Sequence, residues 1–106
     1  MNIGEQILTA WDKTFETGNP DHLASFLTED FELHDSDDLV NSKEETLTWS
    51  CNDGFRIANF KTIYEDEKVS CLTHTVTKNG ADHGKVMCFV IYEAGKAKLW
   101  KILLAS

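Results

Sequence analysis

Basic residues are scarce: 10 Lys and Arg stand against 18 Asp and Glu in 106 residues, a net charge of −8. A nucleic-acid clamp needs clustered cations to neutralise phosphates, so the balance argues against that class. An acidic chain suits an anionic membrane surface equally badly. One proline and six glycines, beside 42% hydrophobic residues, leave no tract that reads as disordered. No apolar run reaches the roughly 18 residues of a membrane-spanning helix. The first residues, Met1 to Gln6, lack the basic and apolar regions of a secretion signal. Three cysteines, Cys51, Cys71 and Cys88, cannot all pair within one chain, and none forms a Cys-x-x-Cys. Each lies in or beside an apolar run, as free buried thiols do in a reducing compartment. The expectation is a cytoplasmic protein without nucleic-acid or membrane partners.

What is present suffices for one domain over residues 1–106, since a chain of this size buries roughly two thirds of its unfolded surface without a metal or disulfide staple. Charge divides it. Residues 1–55 carry 13 acids and 2 bases, a net of −11, whereas residues 56–106 carry 5 acids and 8 bases, a net of +3. Helix signals fill the first half and strand signals the second, as two layers of one domain.

Asn2 and Glu5 have capping-box spacing, and Ile3, Ile7, Leu8, Trp11 and Phe15 recur as one helical stripe ending at Gly18. Asn19-Pro20 restarts a short helix that buries Leu23, Phe26 and Leu27. Residues 30–35 alternate, with Phe31, Leu33 and Asp35 on one side. Ser42 and Glu45 form a second capping box, opening a helix through Leu47, Trp49 and Cys51 that stops at Gly54. Four strand-like runs follow: 55–65, 68–78, 85–93 and 96–104. Asp66-Glu67, Asn79-Gly80 and Ala94-Gly95 separate them as hairpin turns. The order predicts an α+β fold, with three N-terminal helices packed in the concavity of a strongly curved, mainly antiparallel sheet. The last two strands are apolar at both parities, so both sheet faces need cover. Helices cover one, and a second copy of the chain is the simplest cover for the other.

The run Gly18-Asn19, short helix, Leu27-Thr28-Glu29-Asp30-Phe31-Glu32-Leu33-His34-Asp35, helix, then four-strand meander resembles the nuclear transport factor 2-like superfamily. That group includes SnoaL-like polyketide cyclases and ketosteroid isomerases. The resemblance covers essentially the whole chain in element order and implies a cystatin-like cone with an apolar pocket at its open end. It puts Asp35 at the position of the isomerases' general base, with Ser36 in place of the Pro that follows it there. The isomerases' oxyanion Tyr falls on Trp11 and their acidic donor near Met87, so the usual stabiliser of an enolate is missing.

By strand parity within the same resemblance, Leu72, His74 and Val76 point into the cone, as do Met87 and Phe89, and Trp100 and Leu104. Trp49 falls near a cavity-lining position, its register open by one residue. The expected site therefore has Asp35 and His74 as proton-transfer candidates, and Trp11, Phe15, Trp49, Leu72, Met87, Phe89 and Trp100 as ligand-binding residues. The outer face, Val86, Cys88, Val90, Leu99 and Leu103, forms the expected homodimer contact. The acidic stretch 34–38 lacks the glycine and distal Glu of a calcium loop, and no histidine pair has zinc spacing, so neither metal nor cofactor is expected. Two functions are compatible with this site. One is binding of a small apolar molecule. The other is an isomerase, cyclase or dehydratase that moves a proton on a small carbonyl or polyketide-like substrate through Asp35 and His74.

Overall fold

Asn2 opens the first helix by accepting a 3.0 Å hydrogen bond from the Glu5 backbone N–H. A computed structural model describes residues 2–105, and in it this helix, α1, spans Ile3–Thr17. Gly18 ends α1 at φ 72°, a left-handed conformation that costs glycine nothing, and donates to Thr14 O. A four-residue turn of helix, α2 (Asp21–Ala24), leads into strand β1 (Leu27–His34) and a short β2 (Val40–Ser42). The Ser42–Glu45 capping box then starts α3 (Lys43–Asn52). Four long strands complete the chain: β3 (Phe55–Glu65), β4 (Val69–Lys78), β5 (Ala81–Glu93) and β6 (Lys96–Ala105).

These bounds match the expected helices and strands except that the second helix ends at Ala24, so Leu27, expected on it, opens β1 instead, and the sheet has two additions. The sheet has six strands in the order β2-β1-β6-β5-β4-β3, and β1 pairs with β6 in parallel while all other pairs are antiparallel. The parallel pair ties the helical half of the chain to its last strand. The helices cover the concave face. Ile7, Leu8 and Trp11 of α1 are buried there against Phe31 and Leu33 of β1, Leu72 and Val76 of β4, and Trp100 of β6.

One expectation about side-chain direction is reversed. The β4–β5 hairpin closes at Lys78 opposite Ala81 across Asn79-Gly80, both at positive φ. An unbroken ladder from that turn would set Leu72 opposite Met87. Instead Thr77 pairs with Asp82 and Val76 with Gly84, leaving His83 as the extra residue of a β-bulge, with Gly84 at φ 116°. Leu72 consequently faces Cys88, and His74 faces Val86. A one-residue slip moves a whole strand's side chains to the other face. Val86, Cys88 and Val90 therefore belong to the core, not to a subunit contact. Met87 and Phe89, 40% and 43% exposed, stand on the convex face, away from the core. Of the five residues expected at a homodimer contact, only Leu99 and Leu103 lie on that outer face.

Candidate functional site

A cavity of about 190 Å³ opens at the wide end of the cone, between α1, α3 and the sheet. Five aromatic rings wall it: Trp11 and Phe15 from α1, Trp49 from α3, Phe55 at the start of β3 and Trp100 of β6. Each has a local reason to be there. Trp11 and Phe15 continue the apolar stripe of α1 by four residues, and Trp100 lies on the concave parity of β6. Phe15, Trp49 and Phe55 form a triangle with centroids 5.7, 6.0 and 5.5 Å apart. Trp11 and Trp100 meet edge to face at 5.2 Å and 70°. Aliphatic residues, among them Ile57, Val86 and Ile102, complete the walls.

Four lining residues are polar: Asp35, Ser36, His74 and His83. Asp35 follows the last residue of β1 and organises the loop behind it. Its Oδ1 accepts from the backbone N–H groups of Asp37 at 2.9 Å and Leu39 at 3.0 Å. Asp35 O also accepts from Lys101 Nζ at 3.1 Å. Asp35 is thus both a loop cap and a cavity residue.

His74 is 6% exposed, far deeper than Ser36 or His83. Its Nδ1 lies 3.2 Å from Thr75 O, an atom that can only accept. In the neutral ring Nδ1 therefore carries the proton and Nε2 the lone pair. Burial pushes the pKa of His74 below the usual histidine range, against the opposing pull of the Thr75 carbonyl. No hydrogen bond joins Asp35 to His74 among the described residues.

The buried Trp11 indole N–H is already engaged. Trp11 Nε1 donates to Ser50 Oγ at 2.8 Å, and Ser50 Oγ donates to Thr46 O at 2.7 Å. Burial pushes the Cys88 thiol up to about 12. The Trp11 indole is therefore not free to stabilise an oxyanion, and the thiol is not a nucleophile at neutral pH.

Six residues expected at the site share this cavity: Asp35, His74, Trp11, Phe15, Trp49 and Trp100. Leu72 points inward as expected but is completely buried at the opposite, narrow end, against Gly4. Met87 and Phe89 lie on the other face, through the bulge. Sequence reasoning missed Phe55, Val86 and His83 as lining residues. A glycine inside a strand pattern, Gly84, was the available signal for the bulge that places two of them. Among the described residues no three His, Cys, Asp or Glu side chains are grouped to hold a metal ion, and no helix is long and apolar enough to cross a membrane.

No protein-family model matches the chain, and no curated protein matches it in sequence. Solved structures do match in shape. An NTF2-like protein of unknown function from Cytophaga hutchinsonii superposes with a TM-score of 0.80 at 14% identity, covering 97% of this chain and 87% of that one. A cystatin-fold protein from Novosphingobium aromaticivorans gives 0.76 at 14% identity, covering 95% and 94%. A protein with a ketosteroid isomerase-like fold from Catenulispora acidiphila, in complex with trimethylamine, gives 0.67 at 13% identity, covering 94% and 85%. The chain has the nuclear transport factor 2-like, cystatin-type cone fold. At these identities the likeness speaks for fold alone.

Proposed function

We propose that the chain binds a small, mostly apolar molecule in the cavity at the wide end of the cone. The observation that carries this reading is an open space of about 190 Å³ lined by five aromatic rings. Packed interiors seldom leave such a void. A dry cavity of about 150 Å³ takes a benzene ring, whereas drug-sized ligands occupy pockets of about 300–1,000 Å³. The guest is therefore a single ring or its equivalent, not a steroid. One of the similar structures is a complex with a molecule as small as trimethylamine, the size class this cavity admits.

A second reading has one observation in its favour: Asp35 and His74 line the same cavity, and His74 offers a lone pair there. Together they would move a proton next to a small carbonyl, worth about 10²–10⁴-fold. This reading stands second because no hydrogen bond joins Asp35 to His74 among the described residues, and the Trp11 indole, at the position of the isomerases' oxyanion Tyr, is engaged with Ser50.

One titration tests both readings. All three tryptophans of the chain line the cavity, so their emission reports a guest directly. Phenol, cyclohexanol and cyclohexanone at up to millimolar concentration should shift that emission. Ile102→Phe, which fills the space, should weaken the response at least about tenfold. Solvent deuterium entering the α-positions of cyclohexanone, and ceasing to do so in Asp35→Asn, would move the enzyme reading to first place. Unchanged emission with every compound would remove the pocket reading.

A further inference from the structure

The walls of the cavity select among guests by the groups they offer and withhold. We propose that the guest is a small alkylated ammonium, held against the aromatic rings with the Asp35 carboxylate as its counter-charge at the mouth. This assignment rests on the pocket reading and narrows its guest.

The rings come first. Phe15 and Trp49 meet at 82°, Trp11 and Trp100 at 70°, and Phe55 is tilted at 54° and 46° to its two neighbours. The rings pack on one another edge to face or tilted and together line the open space, and aromatic faces carry negative potential that attracts a cation. The fold already uses one of these rings in this way: Lys78 Nζ stands 5.0 Å from the Phe55 centroid.

Charge points the same way. Among the described residues no Lys or Arg lines the cavity, and Asp35 is the only acid that does. Its Oδ1 is engaged by two backbone N–H groups, and neither bond uses Oδ2. The ammonium beside it, Lys101 Nζ, donates to the Asp35 backbone carbonyl at 3.1 Å and pairs with Asp38, whereas Asp37 adds its charge to the same loop and leaves it acidic. The other titratable lining groups are His74, kept uncharged by burial, and His83 at the rim. A chain of net charge −8 also raises the local concentration of cations.

Hydrogen-bonding capacity separates kinds of cation. A primary ammonium brings three N–H donors and needs acceptors for them, which apolar walls do not supply. A quaternary, trimethylated nitrogen brings none and presents methyl groups to the rings. An anion would need donors, and the Trp11 indole N–H is already engaged with Ser50.

The test compares choline with 3,3-dimethyl-1-butanol, in which carbon replaces the charged nitrogen at nearly the same shape. Tryptophan emission is followed in the wild type and in Asp35→Asn. The asparagine keeps an amide oxygen to accept from Asp37 and Leu39, so the loop survives and only the charge is lost. Choline should bind the wild type at least about tenfold more tightly than the neutral isostere. Asp35→Asn should reduce that preference severalfold and leave the isostere's affinity unchanged. Equal affinity for the two ligands, or tighter binding of the isostere, overturns the ammonium proposal while the apolar-pocket reading stands. Choline binding that Asp35→Asn does not weaken overturns the counter-charge assignment. No response to choline, the isostere or the neutral ring compounds overturns both readings together.

Discussion

At the narrow end of the cone, where the first turn of α1 meets β3, β4 and β5, side chains lock together with little space left. A Cβ added to Gly4 would come within 2.8 Å of a Leu72 methyl. Glu65 Oε1 accepts from Gly4 N at 2.9 Å and Ser70 Oγ at 2.7 Å, and Tyr92 donates to Ser70 Oγ at 2.7 Å. At the wide end, five larger side chains surround about 190 Å³ that none of them fills. A void of that size costs up to roughly 4–5 kcal/mol by the cavity coefficient, against about 5–15 kcal/mol for a whole domain. Opening to solvent at the mouth lowers that figure. The contrast teaches that one end holds the layers together so that the other can stay open.

The largest expected effect follows from that contrast. Leu72→Ala, at a site with no exposure, should cost about 2–5 kcal/mol in urea denaturation. Leu104→Ala, at 47% exposure on the cavity rim, should cost less than about 1 kcal/mol. Equal costs would mean that the two ends are packed alike.

Much of this arrangement was legible in the chain because the signals are local. Asn2 with Glu5, Ser42 with Glu45, Gly18 and Asn79-Gly80 each act within a few residues, and each delimits an element where expected. Asp35 could be assigned to the concave side because Phe31 and Leu33 alternate cleanly with Glu32 and His34. The strand β5 gave no such contrast. Val86, Cys88 and Val90 are as apolar as Met87, Phe89 and Ile91, so pattern could not choose a face. The choice was made by a bulge at His83 that apolar alternation does not encode. The parallel β1–β6 pairing joins residues about 67 apart in sequence, beyond any local signal. Most of the cavity came through because its helical and β6 residues depended on none of this.

Strand β5 also offers a sharper version of the comparison, since it runs from one end to the other. Val86 lines the cavity, whereas Val90 lies opposite Trp100 with no exposure; both point inward. The same substitution should have opposite signs at the two positions. Val90→Leu forces an extra methylene into a filled space and should destabilise by about 1–3 kcal/mol. Val86→Leu places that methylene in the open cavity, where its burial is worth up to about 0.8 kcal/mol of added stability. Loss of β-branching subtracts a few tenths at both positions and cancels from the difference. Denaturation midpoints at constant slope would show it. Two losses of equal size would mean that the wide end has no usable space.

The smallest effect is one of slope. Burial lowers the pKa of His74 in the folded chain, so the unfolded chain binds this proton more readily. Stability from neutral His74 is therefore complete above the unfolded value near 6.5 and is lost as the pH falls from there toward the folded pKa. The contribution to the slope cannot exceed about 1.4 kcal/mol per pH unit, the limit for one proton. The chain holds three further histidines, so the informative quantity is a difference between proteins. Unfolding free energies of the wild type and His74→Gln, measured from pH 7.5 down to pH 5, should diverge in slope below about pH 6.5, with the wild type the steeper. A guest that excludes water from the cavity should steepen the wild-type curve further, because protonating His74 then becomes costlier still. Parallel curves would mean that the wide end is wet enough to solvate an imidazolium, and the cavity would lose its apolar character along with its contrast to the narrow end.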